Sequence, residues 1–81
     1  MVKREQLLAL TFYESRPFTG SSGPLRYRIE KVSDDDGKRL KVYAWKGEFA
    51  YDKTPEDDMT VNEFEFSDDG LGKITEWLNG L

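Results

Sequence analysis

The sequence predicts an α+β domain: a three-stranded antiparallel meander with an N-terminal and a C-terminal helix packed on one of its faces. Apolar and charged residues alternate over residues 25–29 and 40–44, as in strands with one buried and one solvated face. Asp36 and Gly37, between these segments, are typical of a tight hairpin. Over residues 71–81 the apolar spacing becomes helical. The 81 residues suffice for a single small domain, with the predicted order helix, strand, strand, strand, helix.

The first segment of the chain is predicted to be a helix followed by a loop. Residues 3–12 are mostly strong helix formers, and their apolar members can share one helical face. Pro17 disfavours helical geometry in the residue before it, so the helix should end before Arg16. Residues 19–24 consist mainly of glycine, serine and proline, and this composition predicts a loop.

The two strands of the predicted hairpin have chemically different faces. The residues of one parity are apolar, and we assign them to the core face beneath the helices. The residues of the other parity are cationic or aromatic, and we assign them to the opposite face. The core set is Leu25, Tyr27, Ile29, Leu40, Val42 and Ala44, and the opposite set is Arg26, Arg28, Arg39, Lys41, Tyr43 and Trp45. Residues 48–58 then form a long connection.

A third strand is predicted for residues 59–66, which contain several aromatic and β-branched side chains. Val61 differs in parity from Phe64 and Phe66, so all three can share a face only if the strand contains a bulge near Asn62.

The last helix is predicted from its first residues and its apolar stripe. Ser67 can cap the free backbone amides, and two aspartates follow it at the positive end of the helix dipole. Gly80 is the expected stop. The apolar stripe consists of Leu71, Ile74, Trp77, Leu78 and Leu81.

Composition excludes several classes of chemistry. The chain has no Cys and no His, so it has no disulfide, no thiolate nucleophile, no Ser-His relay and no imidazole metal ligand. We therefore expect a protein that is not an enzyme and that uses no cofactor and no metal ion. No apolar stretch is long enough to span a membrane, and the first residues do not resemble a secretory signal. With a net charge of −4, these features predict a cytoplasmic protein that does not associate with membranes.

The cationic and aromatic face of the hairpin is the candidate partner-binding site. Such residues also line ordinary solvated sheet faces, where they pair with nearby acids. The predicted function is non-enzymatic binding of a macromolecular partner, either another protein or a second copy of this chain. The expected contact surface is the sheet face or the aromatic loop at residues 45–51, with Phe18 adding to it if the rings are exposed together. The candidate residues are Arg26, Arg28, Arg39, Lys41, Tyr43, Trp45, Phe49 and Tyr51.

Nucleic-acid chemistry provides two alternative functions. Cations beside aromatic rings can hold phosphates and stack bases, so Arg28, Lys41, Tyr43 and Trp45 could bind single-stranded nucleic acid, although the net charge of −4 opposes this. Conversely, residues 47–81 contain 2 basic and 10 acidic residues. A row of acids can imitate phosphates and inhibit a nucleic-acid-binding protein, although turns, loops and helix caps also explain acids locally.

One stretch resembles a known family. Residues 67–78 follow a strand and open a helix, and Gly70 and Gly72 are spaced as in the acetyl-CoA pyrophosphate loop of GNAT acetyltransferases. That family has Arg or Gln where this chain has Ser67. The resemblance implies backbone amides that hold a pyrophosphate and, because the chain is too short for the cofactor cleft, an acyl-CoA-binding remnant without catalytic activity. The same residues also fit a capped helix that contains two glycines.

Overall fold

A computed structural model describes residues 2–7, 9–47 and 50–81, which fold into a four-stranded antiparallel sheet and one α-helix. The α+β class is therefore confirmed, but the sheet has one strand more than predicted. The strands follow each other in the sheet in chain order. They are β1 (Phe18–Ser22), β2 (Leu25–Asp34), β3 (Gly37–Lys46) and β4 (Thr60–Glu65), and the helix α1 is Asp68–Asn79. Short 3-10 helices occupy Arg4–Leu7, Leu10–Glu14, Tyr51–Lys53 and Glu56–Asp58.

The additional strand is β1, which lies within the segment predicted to be a loop. Only residues 23–24 form the turn between β1 and β2. Gly20, read as a chain breaker, pairs with Tyr27, and a Cβ on Gly20 would come within 2.7 Å of the Tyr27 ring. Gly20 therefore makes room for the buried ring of Tyr27 in the neighbouring strand. This packing requirement outweighs the low strand propensity of glycine.

The predicted N-terminal helix is replaced by two 3-10 helices. Ala9 between them is extended, with φ −78° and ψ 152°. Leu7 and Tyr13 are both buried, and the Tyr13 hydroxyl donates to the Leu7 carbonyl oxygen. In one straight α-helix, residues six apart point about 120° away from each other. The break at Ala9 lets both side chains enter the same core.

The predicted bulge in β4 is wrong. Pairing with β3 runs without interruption from Thr60, opposite Ala44, to Glu65, opposite Arg39. Phe64 therefore faces the core, whereas Val61 lies on the opposite face with 44% of its surface exposed. A single exposed valine is a small cost, so the chain keeps a regular strand.

The core lies between one face of the sheet and α1, together with the N-terminal 3-10 helices. The Val2 backbone N–H donates to Asn79 Oδ1 at 2.8 Å, and Asn79 Nδ2 donates to the Val2 carbonyl at 2.9 Å, which holds the N-terminal segment beside the end of α1. The most buried core side chains are Leu7, Tyr13, Tyr27, Ile29, Leu40, Val42, Leu71, Ile74 and Leu78.

The junction of β4 and α1 explains one of the two glycines in the helix. Ser67 Oγ accepts the Gly70 N–H at 2.9 Å and caps α1 as predicted. A Cβ on Gly70 would overlap the carbonyl oxygen of Glu65, so this position needs a residue without a side chain. A Cβ on Gly72 would meet nothing within 4 Å.

We expect opposite effects when each of these glycines is replaced by alanine. Gly70→Ala should lower the free energy of unfolding by about 1–3 kcal/mol, because the strand or the helix must shift. Gly72→Ala should raise it by about 0.5–1 kcal/mol, because alanine restricts the unfolded chain and favours the helix. Urea titrations measure both values, and equal effects at the two positions would contradict the close contact at Gly70.

Candidate functional site

The predicted division of the hairpin into two faces is confirmed. In the β2–β3 register, Arg26 pairs with Trp45 and Arg28 pairs with Tyr43. Arg39 and Lys41 follow on the same face of β3. We call this the outer face. It lies opposite the core and contains Arg26, Arg28, Arg39, Lys41, Tyr43 and Trp45. Whether these residues bind a partner stays a prediction.

The aromatic part of the outer face is covered by the connection between β3 and β4. Trp45 is 3% exposed and Tyr43 is 7% exposed. The ring of Tyr51, in the 3-10 helix Tyr51–Lys53, packs on both, with centroid distances of 5.2 Å to Tyr43 and 6.0 Å to Trp45. The guanidinium carbon of Arg28 lies 4.4 Å from the centre of the Tyr51 ring. We call Arg28, Tyr43, Trp45 and Tyr51 the outer cluster.

A hydrogen bond fixes the orientation of Tyr43 within the outer cluster. Its hydroxyl donates to Glu30 Oε1 at 2.7 Å, and Glu30 Oε2 also lies 3.5 Å from the Arg28 guanidinium. Burial of the phenol, together with the adjacent Glu30 carboxylate, raises the pKa of Tyr43 well above its usual value. Tyr43 is therefore held as a neutral donor, and its ring is part of a packed cluster.

Two further cations of the outer face, Arg39 and Lys41, have acidic neighbours. Arg39 forms ion pairs with Asp34 and with Glu63, the second at 3.0 Å. Lys41 pairs across the sheet with Glu30 on one side and Glu63 on the other. Carboxylates therefore interrupt the cations of the outer face, which do not form a continuous positively charged surface.

The remaining predicted residues are dispersed. Arg26 donates from Nε to the Gly47 carbonyl oxygen at 2.8 Å, which ties β2 to the start of the β3–β4 connection. Phe49 lies outside the described residues. Phe18 packs on the inner face, 6.2 Å from Phe12 and 6.4 Å from Tyr27, so it does not join Trp45 in one exposed aromatic surface as expected.

A cleft lies beside the outer cluster at the end of the sheet. Its volume is about 680 Å³, and one wall includes Trp45. Five parts of the chain meet there: the start of β2, the end of β3, the β3–β4 connection, the start of β4 and Leu81 after the end of α1. Because these parts are far apart in the sequence, Trp45 is the one candidate site residue of the sequence analysis among the described lining residues. The lining residues are Leu25, Ala44, Trp45, Lys46, Gly47, Lys53, Thr54, Pro55, Asp58, Thr60 and Leu81.

The stretch that resembles the GNAT loop forms the first turns of α1. The Gly70 amide is already bonded to Ser67 Oγ, and Asp68 lies on the exposed side, 3.4 Å from Arg4. Within residues 2–7, 9–47 and 50–81, the structure brings together no group of three or more carboxylates that could hold a metal ion. No helix in this part of the chain is long and apolar enough to cross a membrane.

Comparisons of the chain with models of known protein families, with curated proteins and with solved structures find no match. The candidate site is therefore argued from its own geometry.

Replacement of Tyr51 should open the outer cluster. We expect Tyr51→Ala to lower the free energy of unfolding by about 1–3 kcal/mol, since it removes ring packing on two buried aromatic side chains. In a Trp77→Phe background, in which Trp45 is the only indole, its fluorescence emission should shift to longer wavelength. Tyr51→Phe keeps the ring and should leave both readouts nearly unchanged. Unaltered emission in Tyr51→Ala would show that Tyr51 does not cover Trp45.

Alkaline pH should destabilise the fold through its buried tyrosines. Burial raises the pKa of Tyr13, Tyr27 and Tyr43 above the usual value near 10. Above that pH the unfolded chain releases phenolic protons that the folded chain retains, so the free energy of unfolding falls as pH rises, by up to about 1.4 kcal/mol per pH unit for each tyrosine. Urea midpoints between pH 9 and pH 11.5 measure this slope. Tyr43→Phe should make it shallower, and an identical slope would contradict the raised pKa of Tyr43.

Proposed function

We propose that this protein is a non-enzymatic binding protein that receives a segment of a partner protein in the cleft beside Trp45. The observation that carries the proposal is the cleft itself. Its volume of about 680 Å³ is within the usual range for ligand sites of roughly 300–1,000 Å³. The absence of Cys and His from the sequence supports a binding role over catalysis.

The lining of the cleft indicates the chemistry of the partner. Accessible apolar surface comes from Leu25, Pro55 and Leu81, whereas Ala44 and Trp45 line the cleft from almost fully buried positions. This combination suits an apolar side chain of the partner, which gains free energy when it leaves water.

The charged residues of the cleft suggest what flanks that apolar side chain. Lys46 and Lys53 are exposed at the cleft, and Asp58 is the one acid among the lining residues that the structure describes. These lining residues supply two cations and one anion, although the whole chain has a net charge of −4. A partner segment with a carboxylate next to its apolar residue complements this arrangement.

The outer cluster supports the cleft by holding its aromatic wall in place. Trp45 is packed against Tyr51, and Arg26 ties the adjacent Gly47 carbonyl to β2. A wall fixed by packing loses little conformational freedom when a ligand binds, which favours affinity.

These contacts also favour a protein partner over single-stranded nucleic acid. Base stacking needs an open ring face, but Tyr43 and Trp45 are 7% and 3% exposed. Lys41 lies between Glu30 and Glu63 in the sheet, so its charge is compensated. Lys46 and Lys53 at the cleft, in contrast, are exposed.

Selection from a displayed library of random peptides tests the proposed function. We expect selected peptides to share an apolar residue next to Asp or Glu, and to perturb the NMR amide signals of Lys46, Lys53 and Thr60. Combined reversal of charge in Lys46→Glu and Lys53→Glu should weaken binding about tenfold, since both rim cations are replaced by anions. Lys41→Glu, a single charge reversal on the outer face, should leave the affinity unchanged, whereas Lys46→Glu or Lys53→Glu alone should weaken it.

Two results would contradict the proposal. One is a set of selected peptides whose affinity is lowered by Lys41→Glu and not by the cleft variants. The other is salt-dependent binding of a labelled single-stranded oligonucleotide that is lost in Lys41→Glu, which would favour the nucleic-acid function.

A further inference from the structure

The two edges of the sheet differ in how well they are protected. At the edge formed by β4, Glu63 and Glu65 carry charge, and the Glu63 N–H already donates to Asn62 Oδ1 at 2.8 Å. At the other edge, the five residues of β1 (Phe, Thr, Gly, Ser and Ser) carry no charge. Charged side chains on edge strands discourage pairing with another strand, and β1 lacks this protection.

The turn before β2 determines which backbone groups of β1 face outward. Ser22 pairs with Leu25 across the two-residue turn at 23–24, and this closing pair of a hairpin exchanges backbone hydrogen bonds. Hydrogen-bonded and non-hydrogen-bonded pairs then alternate, so Gly20 also bonds to β2, opposite Tyr27. The N–H and C=O groups of Thr19 and Ser21 therefore point away from β2, toward the free side of the strand.

We propose that two copies of this chain associate through β1, which pairs with itself in antiparallel orientation about a twofold axis at Gly20. In this register Thr19 of each copy lies opposite Ser21 of the other. Each Thr19–Ser21 pair exchanges two backbone hydrogen bonds, and the two sheets join into one continuous sheet.

The side chains of β1 fit this register. Gly20 meets Gly20 of the second copy in the closely spaced, non-hydrogen-bonded pair, where two larger side chains would crowd. Thr19 and Ser21 are exposed on the outer face, and hydroxyl residues facing each other across strands are favourable partners. On the inner face, Phe18 is half-buried and gains cover from the second copy.

Charge does not oppose a second copy as the occupant of this edge. In the strand next to β1, Arg26 and Arg28 lie opposite Ser21 and Thr19, one strand back from the seam between the two β1 strands. Their positions in the two copies would be three strand spacings apart, about 14 Å, which is beyond the screening length of about 8 Å at physiological salt. These cations therefore produce no close repulsion at the seam, and β1 itself carries no charge. A seam of five residues is short, so we expect a weak dimer.

Sedimentation equilibrium of the full chain over micromolar to millimolar concentrations tests the dimer. The average mass should rise with concentration from 9.4 kDa toward twice that value. Chain that remains at 9.4 kDa throughout this range would overturn the proposal.

Paired charge variants test the register. Thr19→Glu combined with Ser21→Glu places like charges opposite each other and should raise the dimer dissociation constant at least tenfold. Thr19→Glu combined with Ser21→Lys places opposite charges there and should leave the constant within about threefold of the parent value. Val61→Glu combined with Asn62→Glu adds two like charges at the β4 edge, at exposed positions outside the cleft, and should preserve the dimer.

Circular dichroism and urea titration establish that each variant folds before its mass is compared. Equal weakening by both β1 variants would overturn the Thr19–Ser21 register, and a dimer lost only in the β4 variant would place the interface at the other edge. The tests of the dimer and of the cleft are independent of each other. Sedimentation is measured without peptide, and peptide binding can be measured at low protein concentration, where the chain is monomeric.

Discussion

The register of the β2–β3 hairpin determines what every other part of the structure can do. Asp35 and Asp36 form the two-residue turn, and the Asp34 carboxylate accepts the Asp36 N–H at 2.9 Å. Because neighbouring residues of a strand point to opposite faces, a slip by one residue would turn Leu40 and Val42 toward water and Arg39 and Lys41 toward the core. Burying those cations without partners is costly, so this register is strongly favoured. The core, the outer cluster and the cleft all depend on it.

This dependence explains which features could be predicted from the sequence. The two faces were predicted because alternation over residues 25–29 and 40–44 is a local signal that needs no knowledge of distant contacts. The cover over Tyr43 and Trp45 was not predicted, because it is supplied by Tyr51 from a connection without periodic structure. One sequence signal does indicate it. Residues 42–45 form an unbroken apolar run, and such a run is typical of a strand that is buried on both faces.

The errors in the fold have a common cause, which is that tertiary contacts override local preference. Glycine and serine in residues 19–24 favour a loop, yet Gly20 is the residue that lets the Tyr27 ring pack beneath β1. The N-terminal residues favour an α-helix, but Leu7 and Tyr13 reach one core only when the helix is interrupted. The bulge near Asn62 was inferred to bring Val61 to the core face, but uninterrupted pairing of β4 with β3 keeps Val61 opposite Tyr43 on the outer face. In each case the local pattern was read correctly, and the packing partner was the missing information.

The covering of the outer face also changes where a partner can bind. With Tyr43 and Trp45 packed beneath Tyr51, and with Arg39 and Lys41 next to carboxylates, the middle of this face has neither open rings nor uncompensated charge. The acidic second half of the chain supplies Glu63 and Glu65, which lie opposite Lys41 and Arg39, so the opposite charges of the two halves cancel locally where β4 lies beside β3. Long-range steering by a single-sign surface is therefore weak, and the proposed recognition of a partner depends on short-range contacts. Such contacts are available at the cleft beside Trp45, where the sheet ends, and along the uncharged edge strand β1.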